Sequence, residues 1–280
     1  MDAKGLASMG TWSLETIDWS RFDPSKVDPE ILRNIKAAAL VERNGGDYGT
    51  YLGRIFADDP EFSALADVWA SEEVQHGMAL GRWAQTADPG WDFEAAFARF
   101  RAGYRLPLEA TESVRGSQAG EMMARCIVET GTSSYYSALK DASQEPVLRQ
   151  ICTHIASDEV RHYKLFFDQM QRCLGRDQLS TWRRLWIGWS RLAESSDDEL
   201  AYAYFAANEP AEAVYDRERA MKAYARRAYP LYRPFHVQRA MAMVLKAVGL
   251  TPQGWLNGLL TRAGLWFLRS RAAKFASQGA

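Results

Sequence analysis

The chain repeats a pair of helix-like segments, and this internal repeat constrains the fold more than any other feature of the sequence. The segment from Leu40 to Leu52 aligns with the segment from Ile127 to Leu139, and Ala70 to His76 aligns with Ala156 to His162. The offsets of the two alignments agree within one residue. A repeat of this kind indicates a duplicated structural unit. We therefore expect two copies of one helical hairpin.

Apolar residues recur with the period of an α-helix along most of the chain, and the alternating pattern of β-strands is nearly absent. Proline suits the first turn of a helix and disfavours helical geometry in the residue before it, so Pro60 and Pro146 mark helix starts. The pattern predicts four long helices, at about 29–57, 60–86, 117–142 and 144–174.

The connection 87–116 between the second and third long helices is long enough to cross over, and it contains a short amphipathic stretch at Phe93–Tyr104. Two hairpins joined by one long crossover form the ferritin-like version of a four-helix bundle. The sequence therefore predicts an all-α protein, a ferritin-like four-helix bundle with three or four additional C-terminal helices. The expected parts are an N-terminal extension at 1–28, the bundle at 29–175 and a basic helical extension packed on it at 176–280.

Each half of the repeat carries a lone glutamate on its first helix and a Glu-x-x-His on its second. The six residues are Glu42, Glu73 and His76, then Glu129, Glu159 and His162. Residues three apart share one helix face, so each Glu-x-x-His directs a carboxylate and an imidazole to the same place. Four buried carboxylates are costly unless they are paired, and only Arg125 is cationic at the neighbouring inward positions. Two metal ions would neutralise them, and the mixed ligands favour iron or manganese over structural zinc.

The residues just before the ligand glutamates extend this hypothesis. A metal-bound histidine usually donates its other N–H to a carboxylate. We therefore expect Asp158 to accept from His76 and Glu72 to accept from His162. The alternative is that Glu72 and Asp158 are ordinary surface acids, because adjacent helix positions differ by about 100° in direction. A Glu-x-x-His alone is most often a solvated pair, but here it occurs twice among only four histidines.

Small residues surround Glu42 on its helix, namely Ala38, Gly45, Gly46 and Gly49. Glycine inside a helix costs about 0.5–1 kcal/mol relative to alanine, so a property other than helix stability favours it here. We interpret these positions as a substrate channel that admits dioxygen and a substrate chain, and close helix packing is the alternative. Thr132 lies three residues after Glu129, where its hydroxyl is a candidate catalytic group for proton delivery or a partner of its own backbone.

The segments Trp69-Ala-Ser-Glu-Glu-Val-Gln-His-Gly77 and Ser157-Asp-Glu-Val-Arg-His162 resemble motifs of the soluble acyl-carrier-protein desaturases, which belong to the ferritin-like superfamily. That family shows Trp-x-x-Glu-Glu-x-x-His-Gly and Asp-Glu-x-Arg-His at these places, with a Glu-x-x-Thr that Glu129 and Thr132 match. The resemblance covers about residues 29–174, and Gln75 stands where the family has arginine.

This resemblance implies that the six ligands bind two iron ions, Fe2+ or Fe3+, with manganese as a substitute. It also implies that O2 is the co-substrate and that hydrogens are removed from an acyl chain on acyl-carrier protein or from another acyl substrate. A ferredoxin-like electron donor and a homodimer are expected. Hydroxylation, another di-iron oxygenase reaction on a small molecule, and a bacterioferritin-like or rubrerythrin-like handling of iron or peroxide remain open, because fold and ligands do not determine the substrate.

Charge is distributed unevenly although the formal net charge is only −1, which argues against a nucleic-acid partner. Residues 211–280 contain twelve Lys/Arg and three Asp/Glu, and no acidic residue follows Glu218. This region suits an acidic carrier protein, a peripheral membrane contact, or packing on the bundle or on a dimer partner. The stripe of Trp182, Trp186 and Trp189 is expected to lie in the core.

The cysteines and the N-terminus indicate the compartment. Cys126, Cys152 and Cys173 lie within helical patterns, which favours free thiols in a reducing environment. The N-terminal sequence lacks the apolar segment of a signal peptide, and no run of about 18 apolar residues occurs. We therefore expect a cytoplasmic protein.

Overall fold

The computed structural model describes residues 12–193 and 198–277. Within these ranges the chain forms α-helices and short 3-10 turns, and it contains no β-strand. This confirms the prediction of an all-α protein.

The α-helices are numbered here in chain order. They are α1 (Pro29–Arg43), α2 (Gly45–Ile55), α3 (Pro60–Ala87), α4 (Phe93–Gly103), α5 (Gln118–Ala142), α6 (Pro146–Asp177), α7 (Thr181–Ala193), α8 (Asp198–Asn208), α9 (Arg217–Ala228), α10 (Pro234–Val248) and α11 (Trp255–Ser277). The predicted helix starts near 29, 60, 117 and 144 agree with α1, α3, α5 and α6 within two residues.

Acidic caps and prolines determine where three of the central helices begin. Helices α1, α3 and α6 each have proline at their first helical position. The residue before each proline is Asp28, Asp59 or Glu145, and its carboxylate accepts a backbone N–H of the first turn. A cap of this kind contributes about 0.5–2 kcal/mol to helix stability.

The predicted long helix at 29–57 is interrupted at Asn44, so the prediction of one continuous helix is wrong at this point. Two glycines follow Asn44, and glycine weakens a helix interior. The side-chain Nδ2 of Asn44 instead donates to Oε1 of Glu199 on α8, at 3.3 Å. A Cβ added to Gly45 would lie only 2.3 Å from Cβ of Glu73, so α2 passes α3 at very close range.

The central helices form two hairpins that lie against one another. Helices α1 and α2 pack along α3, α5 packs along α6, and α3 contacts α6. Helix α4 occupies the connection between the hairpins, where the amphipathic stretch Phe93–Tyr104 was predicted, and it contacts α1, α3 and α8. The inward faces of α1, α3, α5 and α6 therefore surround one central region.

Five described helices follow α6, whereas three or four were expected. Helix α8 packs on α1, α7 and α10 pack on α5, and α11 packs on α9 and α10. The Nε2 atom of His236 on α10 lies 3.0 Å from Oδ2 of Asp141 near the end of α5. The C-terminal helices are therefore docked on the central hairpins.

The tryptophan stripe of α7 faces away from the protein, which corrects the prediction that it is part of the core. Trp182, Trp186 and Trp189 are 82%, 69% and 68% exposed. The opposite face of α7 is the buried one, and Gly188 there would place an added Cβ 3.2 Å from Cε of Met123 on α5. Helical spacing shows that three side chains share a face, but it does not show which face meets the core.

The described parts of the chain contain no helix that is both long and apolar enough to cross a membrane. Cys126, Cys152 and Cys173 are free and buried, as expected from their helical pattern.

Two glycines of α2 provide a test of the close packing between α2 and α3. A methyl group on Gly49 would lie 2.5 Å from Cβ of Ala70, whereas nothing lies within 4 Å of the same position on Gly53. We expect Gly49→Ala to lower the free energy of unfolding by about 1–3 kcal/mol through overpacking. We expect the control Gly53→Ala to raise it by about 0.5–1 kcal/mol. Urea denaturation measures both, and equal effects would contradict the close contact.

Candidate metal centre

The two hairpins bring all six predicted ligand residues to one buried region. Glu42 comes from α1, Glu73 and His76 from α3, Glu129 from α5, and Glu159 and His162 from α6. Each of the six is at most 8% exposed. One Glu-x-x-His from each hairpin therefore meets one lone glutamate from each hairpin.

These residues form two overlapping groups that can each hold a metal ion. The first group contains Glu42, Glu73, His76 and Glu159, and the second contains Glu73, Glu129, Glu159 and His162. In each group, one ligand atom per residue lies within 4.8 Å of the others. Glu73 and Glu159 belong to both groups, so the two groups share two carboxylates.

Several buried atoms of this cluster lack a hydrogen bond among the described residues. They are Oε2 of Glu42, Oε1 of Glu73, Nδ1 of His76, Oε1 of Glu159 and Nδ1 of His162. Unsatisfied buried polar atoms are uncommon and cost about 1–3 kcal/mol each. The two histidine nitrogens lie close to carboxylates, at 3.3 Å from Oε1 of Glu159 and 2.9 Å from Oε1 of Glu73, without hydrogen-bond geometry. Two cations would satisfy all of these atoms, so the residues present fit two metal ions.

Burial and crowding of like charges disturb the ionisation of the glutamates. Burial, followed by the charges of Glu159 and Glu42, raises the pKa of Glu73 well above its usual range. Burial and the charge of Glu159 raise the pKa of Glu129 in the same way. Bound cations would offset this repulsion, because metal ligation favours the deprotonated carboxylate.

A second carboxylate lies behind each histidine. The Nε2 atom of His76 lies 3.0 Å from Oδ2 of Asp158, and Nε2 of His162 lies 2.7 Å from Oε2 of Glu72. These are the two pairs expected from the sequence, and each pair joins α3 to α6. Because an ionised carboxylate can only accept, Nε2 carries the ring proton and Nδ1 offers its lone pair to the centre. Burial alone would raise the pKa of Asp158, but its hydrogen bonds with His76, Trp12 and Arg161 together outweigh burial and lower the pKa.

Trp12 joins the site from the N-terminal segment, and the sequence did not point to it. Its Nε1 donates to Oδ2 of Asp158 at 2.7 Å, and its ring stacks on His76 with centroids 5.9 Å apart and planes 6° apart. The backbone oxygen of Trp12 accepts from Nε2 of Gln75 at 3.2 Å. Gln75 therefore holds the segment whose Trp12 ring stacks on His76.

Arg161 is the second residue that the sequence analysis missed, although it lies within the motif Asp-Glu-x-Arg-His. Its Nη2 donates to Oδ1 of Asp158 at 2.5 Å and to Oε1 of Glu72 at 3.5 Å. One guanidinium therefore lies between the two carboxylates that orient the histidines. It offsets part of their charge and ties their positions to each other.

Two hydroxyl groups contact ligand carboxylates. The Oγ1 of Thr132 donates to Oε2 of Glu159 and also lies 3.3 Å from the backbone oxygens of Val128 and Glu129. The backbone contact was the alternative considered from the sequence, whereas the contact with Glu159 was not predicted. The hydroxyl of Tyr136 donates to Oε1 of Glu42 at 2.5 Å. Its position seven residues after Glu129, on the same helix face, was the available signal for Tyr136.

The four small residues near Glu42 differ in how closely they approach neighbouring helices and in their exposure to solvent. Gly45 lies in close contact with Glu73 and Gly49 with Ala70, as expected for close helix packing, the alternative considered above. Gly46 is exposed, and an added Cβ would have Val74 as its nearest neighbour at 3.9 Å. Ala38 is buried. A substrate channel past these four positions stays a prediction.

His154 and Arg125 lie outside the ligand groups. His154 stacks on Trp12 with centroids 5.1 Å apart. The buried Arg125 has its Nε 3.4 Å from Oε1 of Glu121, and its guanidinium lies 4.4 Å from the ring centre of Tyr48. Neither residue contributes an atom to the two groups.

No protein-family model matches the chain, and no curated protein matches it. The described residues establish a buried Glu/His cluster with two overlapping sets of ligands that can hold metal ions.

Two similar His–Asp pairs allow a controlled test of the carboxylate behind His76. Asp158→Asn weakens the charged hydrogen bond that orients His76, and we expect the affinity for Mn2+ or Fe2+ to fall by about 10-fold to 100-fold. Asp141→Asn changes an equivalent Nε2–Oδ2 pair at the same 3.0 Å distance, between Asp141 and His236, outside the cluster. Chelator competition measures both affinities, and an equal loss in the two variants would show that Asp158 has no special relation to metal binding.

Proposed function

We propose that this protein is a non-haem di-iron oxidoreductase that uses O2 to desaturate, or to hydroxylate, an acyl chain presented on a carrier protein. The observation that carries the proposal is the pair of buried ligand groups that share Glu73 and Glu159. Sharing of two carboxylates suits two cations held close together, where they can act on one substrate.

The arrangement of the central helices supports a ferritin-like bundle. Two hairpins are joined by a long connection that contains α4, and each hairpin supplies one Glu and one Glu-x-x-His to the centre. This is the ligand pattern of di-iron and di-manganese carboxylate bundles. The similarity of the two motifs to those of soluble acyl-carrier-protein desaturases points to the same class.

The donor set indicates which residues would hold each ion. Glu42 and His76 would bind one ion, Glu129 and His162 the other, and Glu73 and Glu159 both. Mixed carboxylate and imidazole ligands suit iron or manganese better than structural zinc. When bound, two irons would supply the activation of O2 that oxidation of an unreactive C–H bond requires.

The surrounding residues would orient the ligands and hold protons. Glu72 and Asp158 keep the Nδ1 lone pairs of the two histidines directed at the centre. The hydroxyl of Thr132 donates a hydrogen bond to Oε2 of Glu159. It is therefore placed to hold a proton at that oxygen or to transfer one to it. The hydroxyl of Tyr136 holds a proton at Oε1 of Glu42 and fixes the orientation of that carboxylate.

The electron balance of the reaction requires a further partner. Reduction of O2 to two water molecules takes four electrons, and removal of two hydrogens from an acyl chain supplies two of them. Hydroxylation has the same deficit of two electrons. We propose that a ferredoxin-like protein supplies them, that an acidic acyl-carrier protein presents the chain, and that the enzyme is a homodimer. We also propose a cytoplasmic location, because the three cysteines are buried free thiols.

Metal content is the first test of the proposal. We expect freshly purified protein to contain about two irons per chain. Glu129→Gln is expected to lose at least one of them, whereas Glu121→Gln, which changes another buried glutamate of α5 outside the ligand groups, retains both. Absence of stoichiometric metal, or equal content in the two variants, would contradict the metal centre.

The response to substrate separates the proposed reaction from other di-iron functions. We expect acyl-carrier protein loaded with a saturated chain to accelerate O2 consumption by the reduced enzyme. Mass spectrometry then distinguishes a product two hydrogens lighter from one that is one oxygen heavier. Consumption of O2 that does not respond to acyl carriers would contradict the acyl substrate, and a large hollow shell on gel filtration would indicate iron storage.

Thr132 is tested by the yield of product per O2 consumed. Thr132→Val removes the hydroxyl but keeps the shape of the side chain, and we expect the product yield to fall by about 10-fold or more with unchanged metal content. Thr132→Ser retains the hydroxyl and is expected to restore most of the yield. If valine and serine behave alike, the hydroxyl has no part in proton delivery.

A further inference from the structure

Helices α7 and α11 expose large apolar side chains on their outward faces. We call this group the tryptophan surface; it consists of Trp182, Trp186, Trp189, Trp255, Leu259 and Trp266. On α11, Trp255 is 80% exposed, Leu259 51% and Trp266 71%, which is comparable with the three tryptophans of α7. Single exposed apolar residues are ordinary, but large apolar side chains repeated along one helix face are typical of an interaction site.

The tryptophan surface is attached to the protein through the opposite faces of both helices. Helices α7 and α11 both pack against α10, and Phe235 at the start of α10 is itself 51% exposed. On α7, Ile187 is buried on the inner side. On α11, Gly264 would place an added Cβ 3.1 Å from Val237, and Nδ2 of Asn257 donates to the backbone oxygen of Gln238 at 3.2 Å. The packing of both helices on the protein therefore leaves these side chains exposed.

Both stripes follow helical spacing, and the stripe of α11 includes basic residues. Trp182, Trp186 and Trp189 lie on one face of α7, and α7 contains no acidic residue. On α11, the positions of Trp255, Leu259, Arg262, Trp266 and Arg269 also follow one helix face, and both arginines are exposed. No acidic residue follows Glu218 in the sequence. The partner of this surface must therefore accept indole rings and positive charge together.

The charge argues against a second copy of this chain as the partner. In a symmetric dimer the same patch contacts itself, so the basic residues of two copies would face each other. An anionic bilayer instead attracts each nearby Lys or Arg. The interfacial region of a bilayer also accommodates the amphipathic indole ring, whose N–H finds water or headgroup partners. It requires no pocket of complementary shape.

We infer that the tryptophan surface binds the anionic surface of a lipid bilayer, with α7 and α11 lying on the membrane rather than crossing it. The described helices contain no membrane span, so the contact is peripheral. This inference uses no residue of the metal centre and does not depend on the proposed enzymatic activity.

Vesicle binding tests the inference directly on the full chain. We expect the protein to co-sediment with vesicles of phosphatidylglycerol and phosphatidylcholine, more weakly with phosphatidylcholine alone, and more weakly at high salt. The variants Trp182→Ala/Trp186→Ala/Trp189→Ala and Trp255→Ala/Trp266→Ala each remove one stripe. We expect each to lower the partition coefficient for anionic vesicles by about 10-fold or more.

Controls separate membrane binding from folding. Val68→Ala removes an exposed apolar side chain of α3, a helix that does not pack on α7, α10 or α11, and is expected to bind vesicles like the unaltered protein. Thermal unfolding followed by circular dichroism establishes that each tryptophan variant remains folded.

Three outcomes would overturn the inference. The first is absence of binding to anionic vesicles by the unaltered protein, and the second is unchanged binding by both tryptophan variants. The third is that the tryptophan variants convert a dimer to a monomer in light scattering, or lose affinity for an acyl-carrier protein, while the unaltered protein ignores vesicles. The surface would then belong to a protein interface.

Discussion

The burial of four carboxylates between two helical hairpins is the constraint on which the rest of the structure depends. Without cations, Glu73 and Glu129 have raised pKa values, and several ligand atoms lack hydrogen bonds. The surrounding residues do not neutralise this centre directly. They fix it from outside, through Asp158 and Glu72 behind the histidines and Arg161 between those two acids. As a result, carboxylate oxygens and both histidine Nδ1 atoms stay without a hydrogen-bond partner and remain available to bind cations.

The C-terminal helices cover the outer sides of the central hairpins. Helix α8 packs on α1, and its Glu199 accepts a hydrogen bond from Asn44, where the first predicted long helix is interrupted. Helices α7 and α10 cover α5, and His236 anchors α10 to Asp141. The tryptophan face of α7 stays exposed, and it shares no residue with the Glu/His cluster.

Sequence reasoning succeeded where helical periodicity alone decides the outcome. The clustering of the six predicted ligand residues and the two carboxylates behind the histidines followed from residue spacing and from the repeat. Glu73 and Glu159 belong to both ligand groups because the two hairpins lie close together. The spacing of residues along one helix does not predict that distance. Trp12 was missed because it lies in a segment without periodicity and meets Asp158 across 146 residues of sequence. The tryptophans of α7 were assigned to the core because periodicity defines a helix face but not its surroundings.

The contacts of Trp12 make the two cation positions unequal. Duplication of one hairpin would by itself produce a centre with two equivalent halves. His76, however, lies under the stacked ring of Trp12, whereas His162 meets the edge of Trp69, with planes 86° apart. The residues that precede the two histidines also differ, since Gln75 holds the N-terminal segment and Arg161 bridges two acids. A segment outside the repeat thus distinguishes two otherwise similar sites, because the ring of Trp12 covers the histidine of only one of them.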